Sequence, residues 1–187
     1  LTGRKEFWSL ELEVDNSTLI PRPETELLIQ WALELNLPKN SKVLDLGTGS
    51  GAIALALASE RSDLQILAVD FCEKALSVAH NNAIRLGLDR VSFLKSDWYA
   101  SLPKTKYWDL IISNPPYVDT NSSIANDLYF EPTIALFSSD SGLAALRRII
   151  FESKDYLKPS GSLILEHGFD QALDVSEKLK IAGYSEI

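Results

Sequence analysis

Hydrophobic and polar positions change their period several times along the chain, and each change marks an element. Residues 5–20 alternate loosely, as in Phe7-Trp8-Ser9-Leu10-Glu11-Leu12-Glu13-Val14, which predicts a β-hairpin with Asp15-Asn16-Ser17 at its turn. Pro21-Arg22-Pro23 interrupts the chain; Leu27, Leu28, Trp31 and Leu35 then recur at helical spacing and predict a helix from Glu24. From Lys42 strand and helix alternate. The short run Val43 to Leu46 predicts a buried strand, Ala52 to Glu60 an apolar helix, and Gln65 to Val69 a second strand. An amphipathic helix is predicted from Glu73 to Leu86, stopped by Gly87, with strands over Val91 to Lys95 and Asp109 to Ser113. A helix from Gly142 to Leu157 is expected to turn through Pro159-Ser160-Gly161 into a strand over Ser162 to Leu165, followed by a helix over about Gln171 to Ala182.

Strands separated by helices specify an α/β fold, a parallel sheet covered on both faces, and right-handed crossovers make it doubly wound and Rossmann-like. Ligands of such sheets bind beyond the carboxyl ends of the strands. The chain's most distinctive residues fall at those ends.

The end of the first sheet strand is one such place: Asp45-Leu46-Gly47-Thr48-Gly49-Ser50-Gly51 leads directly into a helix. Glycines permit a tight strand-to-helix turn and close approach of a ligand to the backbone, and the helix N-terminus presents free N–H groups. The spacing G-x-G-x-G departs from the dinucleotide fingerprint G-x-G-x-x-G, which argues against a nicotinamide-dependent oxidoreductase. S-adenosylmethionine carries a sulfonium and an ammonium but no phosphate, so the Asp45 carboxylate beside the loop suits it. Asp70, at the end of the second sheet strand, either accepts hydrogen bonds from ribose hydroxyls or forms a capping box with Glu73; both can hold together. After the third, Asp97 is a candidate acceptor for an adenine amino group, and Trp98 either covers the adenine face or is a core aromatic.

The fourth sheet strand runs into Asn114-Pro115-Pro116-Tyr117. Two prolines stiffen the segment and remove two backbone donors, leaving a rigid platform of acceptors. The Asn114 side-chain carbonyl and the Pro115 main-chain carbonyl are placed to take the two N–H groups of a substrate –NH₂, with the Tyr117 ring against the planar group. A conjugated nitrogen is a poor nucleophile; acceptors on its hydrogens return electron density to it and aim it at the sulfonium methyl, and orientation is a large term in such reactions. No strong base is needed, because the nitrogen becomes acidic on alkylation.

Composition narrows the setting. The chain has 187 residues, enough for one domain with a single core, and 45% hydrophobic with 24% charged residues is ordinary for a globular protein. No apolar run approaches the roughly 20 residues that span a bilayer, and a lone cysteine, Cys72, suits a reducing cytoplasm. A net charge of -8 disfavours extensive nucleic-acid contact. His80 and His167 are too separated to make a metal site, so no metal is expected. The chain starts at Leu1, contains no methionine and ends as a helix turns toward a strand, so it is expected to belong to a longer protein.

With these residues placed, the chain resembles the HemK/PrmC family, which methylates the glutamine side-chain amide of the Gly-Gly-Gln motif in peptide-chain release factors. The resemblance rests on Leu1-Thr2-Gly3 with Glu6-Phe7-Trp8, on Thr18-Leu19-Ile20-Pro21-Arg22-Pro23-Glu24-Thr25-Glu26, and on Asn114 to Tyr117. Phe130-Glu131-Pro132, Ala135-Leu136, Asp140-Ser141-Gly142-Leu143 and Glu166-His167-Gly168 continue it. It implies that Gly47 to Gly51, Asp70, Trp98 and Asn114 contact the cofactor, that Asn114 to Tyr117 contact the substrate glutamine, and that Pro21, Arg22 and Pro23 wall the pocket. It also implies that residues 1–20 link to a helical N-terminal domain, that 21–187 form the methyltransferase domain, and that closing C-terminal strands lie outside the chain. The tetrapeptide is shared with enzymes methylating exocyclic nitrogens of adenine or guanine in DNA or RNA, which is the alternative reading.

Overall fold

The computed structural model describes residues 3–120 and 131–187. A hairpin of β1 (Arg4–Phe7) and β2 (Leu10–Glu13) precedes a short 3-10 turn, Pro23–Thr25, and helix α1 (Glu26–Glu34). Then follow β3 (Lys42–Leu46), α2 (Ala52–Glu60), β4 (Gln65–Asp70), α3 (Glu73–Arg85), β5 (Ser92–Lys95) and β6 (Trp108–Ser113). The two-residue strands β7 (Val118–Asp119) and β8 (Phe137–Ser138) flank α4 (Thr133–Leu136). The chain continues as α5 (Ala144–Ser153), β9 (Leu157–Leu165) and α6 (Ala172–Ile181).

Five strands form one parallel sheet in the order β5-β4-β3-β6-β9. The order reverses between β3 and β6, which makes the carboxyl ends of these two strands the switch point where such sheets bind ligands. Strand side chains alternate between faces, and the core divides accordingly. Val43, Leu110 and Ile112 face α1 and α2 in one cluster, whereas Leu44, Leu46 and Ile111 join Tyr99, Ile149 and Tyr156 in the other. Covered on both sides, β3 and β6 are buried almost throughout.

Several expected elements move. The hairpin turns at Trp8-Ser9, both with positive φ (50° and 61°), rather than at residues 15–17. There Asp15 instead makes a local turn, its Oδ1 accepting from the Ser17 N–H at 2.8 Å. On α1 the buried face is Leu28, Ile29 and Ala32, while Leu27, Trp31 and Leu35, which set the helical period, are exposed. The helix expected over residues 142–157 is the shorter α5, and β9 already begins at Leu157, running through Pro159-Ser160-Gly161 instead of turning there. Proline is tolerated because the pairing with β6 breaks register between Trp108 and Leu110, which leaves residues 158–161 out of the ladder.

One polar clamp orients the hairpin. Buried Asn82 on α3 accepts from the Glu13 N–H (2.8 Å) and donates to the carbonyls of Glu13 (2.9 Å) and Ser50 (3.0 Å). It thereby ties β2 to the loop after β3.

Candidate active site

A cavity of about 540 Å³ opens beyond the carboxyl ends of β3, β4 and β6. One wall is the loop after β3. Gly47 and Thr48 donate their N–H groups to the Val69 carbonyl (2.9 and 3.0 Å), and the Gly49 N–H reaches Asp70 Oδ2 at 2.9 Å. Asp70 Oδ1 accepts from the Cys72 N–H at 2.8 Å. Asp70 thus braces the glycine loop and the turn ahead of α3 while lining the cavity. Burial raises its pKa, opposed by the Cys72 and Gly49 N–H groups.

Trp98 holds a positive φ of 51°, and its indole presses on the loop: a Cβ on Gly47 would meet the ring at 3.4 Å. The ring also lines the cavity, as an adenine cover requires. Above Gly49 there is open space, with nothing within 4 Å of a Cβ built there. Asp97 lies on the same wall, but both carboxylate oxygens accept from Arg148 Nη1 at 2.9 Å. The expected adenine acceptor is therefore one half of an ion pair across the rim.

Asp45 corrects the expectation of a carboxylate standing in the cavity. It is wholly buried beneath the loop and is not part of the wall. Its Oδ2 accepts from the Thr48 hydroxyl at 2.6 Å, and its Oδ1 has no hydrogen-bond partner. Burial pushes its carboxyl up to about 7, against the Thr48 hydroxyl and the Ala54 N–H, which favour the ionised form. Between pH 4 and 7 the folded chain therefore holds a proton that the unfolded chain releases, so stability falls as pH rises through that window and is level above it. Asp45→Asn is expected to remove this fall, worth on the order of 4 kcal/mol. Urea unfolding of both proteins from pH 4.5 to 8 checks it; parallel curves would refute it.

The opposite wall comes from β6 and the chain before α1. Asn114 and Pro116 line the cavity, with Pro21 and Thr25 beside them. Asn114 Nδ2 donates to Thr25 Oγ1 at 2.9 Å, and Thr25 Oγ1 donates to Glu166 Oε2 at 2.7 Å. The Tyr117 hydroxyl donates to Glu166 Oε1 at 2.9 Å. Burial and then the negative charge of Glu166 push the Tyr117 hydroxyl far above its ordinary range. It stays protonated near neutral pH and is no general base.

Four expected contacts are not among the residues lining the cavity. Pro115 is buried, Tyr117 is partly buried, and Pro23 is exposed to solvent. Arg22 turns away to pair with buried Glu131, which also accepts the Ile20 N–H at 2.8 Å. The Pro21-Arg22-Pro23 segment is thus held in place by residue 131, with only Pro21 reaching the wall. Phe130, with residues 121–129, lies outside the described residues.

Thr25, Arg148 and Glu166 were not foreseen as site residues. No spacing rule could join Thr25 to Glu166 across 141 positions; the only hint was that both sit in segments carrying the family resemblance. Among the described residues no cluster of three or more His, Cys, Asp or Glu could hold a metal, and no helix is long and apolar enough to cross a membrane.

The Asp70 carboxylate, the space above Gly49 and the tryptophan on the wall fit an adenosine cofactor. The description "methyltransferase domain" matches residues 37–181. Among solved structures, the hMettl16 catalytic domain superimposes with a TM-score of 0.74 at 20% identity, over 95% of this chain and 68% of that one. A SAM-dependent methyltransferase from Thiobacillus denitrificans in complex with S-adenosyl-L-homocysteine gives 0.52 at 20%, over 75% and 47%; both establish the fold. Curated relatives are far nearer. The release factor glutamine methyltransferase of Shewanella oneidensis is 49% identical over 100% of this chain and 66% of its own length. That of Escherichia coli K12 is 46% identical over 100% and 68%. The chain spans about two thirds of the length of these relatives, and by that similarity it belongs to the release factor glutamine methyltransferases.

Proposed function

We propose that this domain transfers a methyl group from S-adenosylmethionine to the side-chain amide nitrogen of the glutamine in the Gly-Gly-Gln motif of a peptide-chain release factor, in the cytoplasm. The observation that carries this reading is a single cavity with the glycine loop and Asp70 on one wall and Asn114 with Pro116 on the other.

S-adenosylmethionine supplies an electrophilic methyl group on a sulfonium. The protein's part is positioning and electrostatics. Asp70 and the loop around Gly49 hold the ribose side, and Trp98 covers the adenine. Asn114, on the cavity wall, accepts an amide hydrogen through its side-chain carbonyl. The lone pair of the amide nitrogen then points along the line of transfer. The N–CH₃ bond would form as the S–CH₃ bond breaks, leaving S-adenosylhomocysteine; the methylated nitrogen, now acidic, would release its proton to water, so the protonated Tyr117 has no basic role to fill.

Incubating the full-length protein with labelled S-adenosylmethionine and a release factor is expected to add one methyl group (~14 Da) to the tryptic peptide containing Gly-Gly-Gln. Label on nucleic acid and none on that peptide would overturn the proposal. The net charge of -8 points to the protein substrate.

A further inference from the structure

Asn114 can serve the proposed reaction only in one orientation. Its amide carries an acceptor and a donor on the same carbon, and a half-turn about the last side-chain bond exchanges them. With the oxygen toward the substrate it accepts an N–H; with the nitrogen there, it sets donor against donor and loses the interaction.

The direction is decided outside the tetrapeptide. Glu166, as a carboxylate, can only accept. Its Oε2 takes the single hydroxyl hydrogen of Thr25 at 2.7 Å, and its Oε1 takes that of Tyr117 at 2.9 Å. Thr25 has spent its donor, so toward Asn114 it can offer only a lone pair. Asn114 must meet it with Nδ2, at 2.9 Å, and its Oδ1 is left for the cavity. The relay is rigidly mounted. Thr25 is 4% exposed and is the last residue of the 3-10 turn, immediately before α1. The Glu166 N–H donates to the Ser113 carbonyl at 3.0 Å, and the Ser113 hydroxyl to the Leu46 carbonyl at 2.7 Å. Glu166 thus rides on the same strand ends as Asn114.

We propose that Thr25 and Glu166 are positioning residues that orient the Asn114 amide, fixing its carbonyl toward the substrate nitrogen and holding Tyr117 beside it. The proposal rests on the amide-methylation reading and adds the residues that set its geometry. Charged hydrogen bonds of this kind are stronger than neutral ones, which suits a relay whose end must not turn over.

The test uses Thr25→Val and Thr25→Ser in the full-length protein. Valine keeps the shape and removes both the donor and the acceptor. It is expected to lower kcat 10- to 100-fold (about the effect of losing one charged hydrogen bond), with KM for the release factor and the affinity for S-adenosylhomocysteine within about threefold. Serine restores both bonds and is expected to return kcat to within about threefold of wild type. A kcat for Thr25→Val within twofold of wild type, or a parallel loss of S-adenosylhomocysteine binding, would overturn the proposal.

A second readout needs no catalysis. In asparagine-labelled protein the Asn114 side-chain NH₂, assigned by its loss in Asn114→Ala, is expected to show one proton protected from solvent exchange. That protection should vanish in Thr25→Val and persist in Thr25→Ser. An unprotected amide in wild type would refute the relay even if Thr25→Val fails to fold. If wild type methylates no glutamine, the function proposed above falls, whereas the exchange measurement still decides whether Thr25 holds Asn114.

Discussion

Asn114→Ala is expected to lower kcat by about 10²–10³, the loss found when one preorganised group at a reacting centre is removed. The substitution deletes an acceptor that lies on the cavity wall and is already tethered through its other end to Thr25. Because the tether exists before substrate arrives, no rearrangement accompanies the reaction, and the whole interaction is available in the transition state. S-adenosylhomocysteine should still bind within about tenfold of wild type (order of one or two hydrogen bonds), since Asp70, Trp98 and the loop around Gly49 are untouched. Steady-state kinetics on the release factor with calorimetry on the product cofactor separate the two effects. A kcat within tenfold of wild type would remove Asn114 from the mechanism.

Gly142→Ala is expected to be the most destabilising small change near the site. Gly142 has φ +83°, and a Cβ there would lie 2.1 Å from the Tyr117 carbonyl oxygen and 2.6 Å from Gln171 Nε2. Neither neighbour can yield cheaply. Gln171 Nε2 donates to that same carbonyl at 3.0 Å and to the Ser141 carbonyl at 3.2 Å, so the three groups form one packed joint. Strain in a left-handed residue and displacement of the tetrapeptide's last peptide group together should cost about 3–5 kcal/mol, the range of severe single substitutions. Gly87→Ala is the control: its φ is +67° but nothing lies within 4 Å of its Cβ, so only the conformational part applies, about 1–2 kcal/mol. Urea unfolding of the two variants measures the difference. Equal losses would show that close approach to Tyr117 is not what requires glycine at 142.

What could be read directly from the chain was local. Helix α2 and strands β3, β4 and β6 stand close to where periodicity put them, because buried parallel strands and an all-apolar helix leave little ambiguity. The glycine loop and Asn114-Pro115-Pro116-Tyr117 lie at the carboxyl ends of β3 and β6, since short motifs carry their backbone requirements with them. Misreadings arose where two local signals competed. Asp15-Asn16-Ser17 has better turn chemistry than Trp8-Ser9, yet β1 pairs Phe7 with Leu10, and a two-residue turn with both φ values positive closes it. Asp97 lines the cavity as expected but also pairs with Arg148, which nothing near it in the chain announces, 51 residues away. Asp45 was placed by its charge alone, whereas burial under the loop decides its surroundings. The relay through Thr25 and Glu166 was invisible for the same reason as the Arg22–Glu131 pair: each joins segments that only the folded sheet brings together.

That long-range joint bears on the order in which the protein becomes competent during its own synthesis. Strand β6, which leads into Asn114, lies inside the sheet, yet the group bonded to the Asn114 amide is Thr25, and the group that takes the Thr25 hydrogen comes 141 residues later. Glu166 follows Tyr117 by 49 residues, which translation at about 5–20 residues per second covers in on the order of 5 s. During that interval the nascent chain already holds its glycine loop and tetrapeptide but has no Glu166 to organise them. A partly made chain can therefore hold its cofactor-binding parts before it holds the groups that align Asn114.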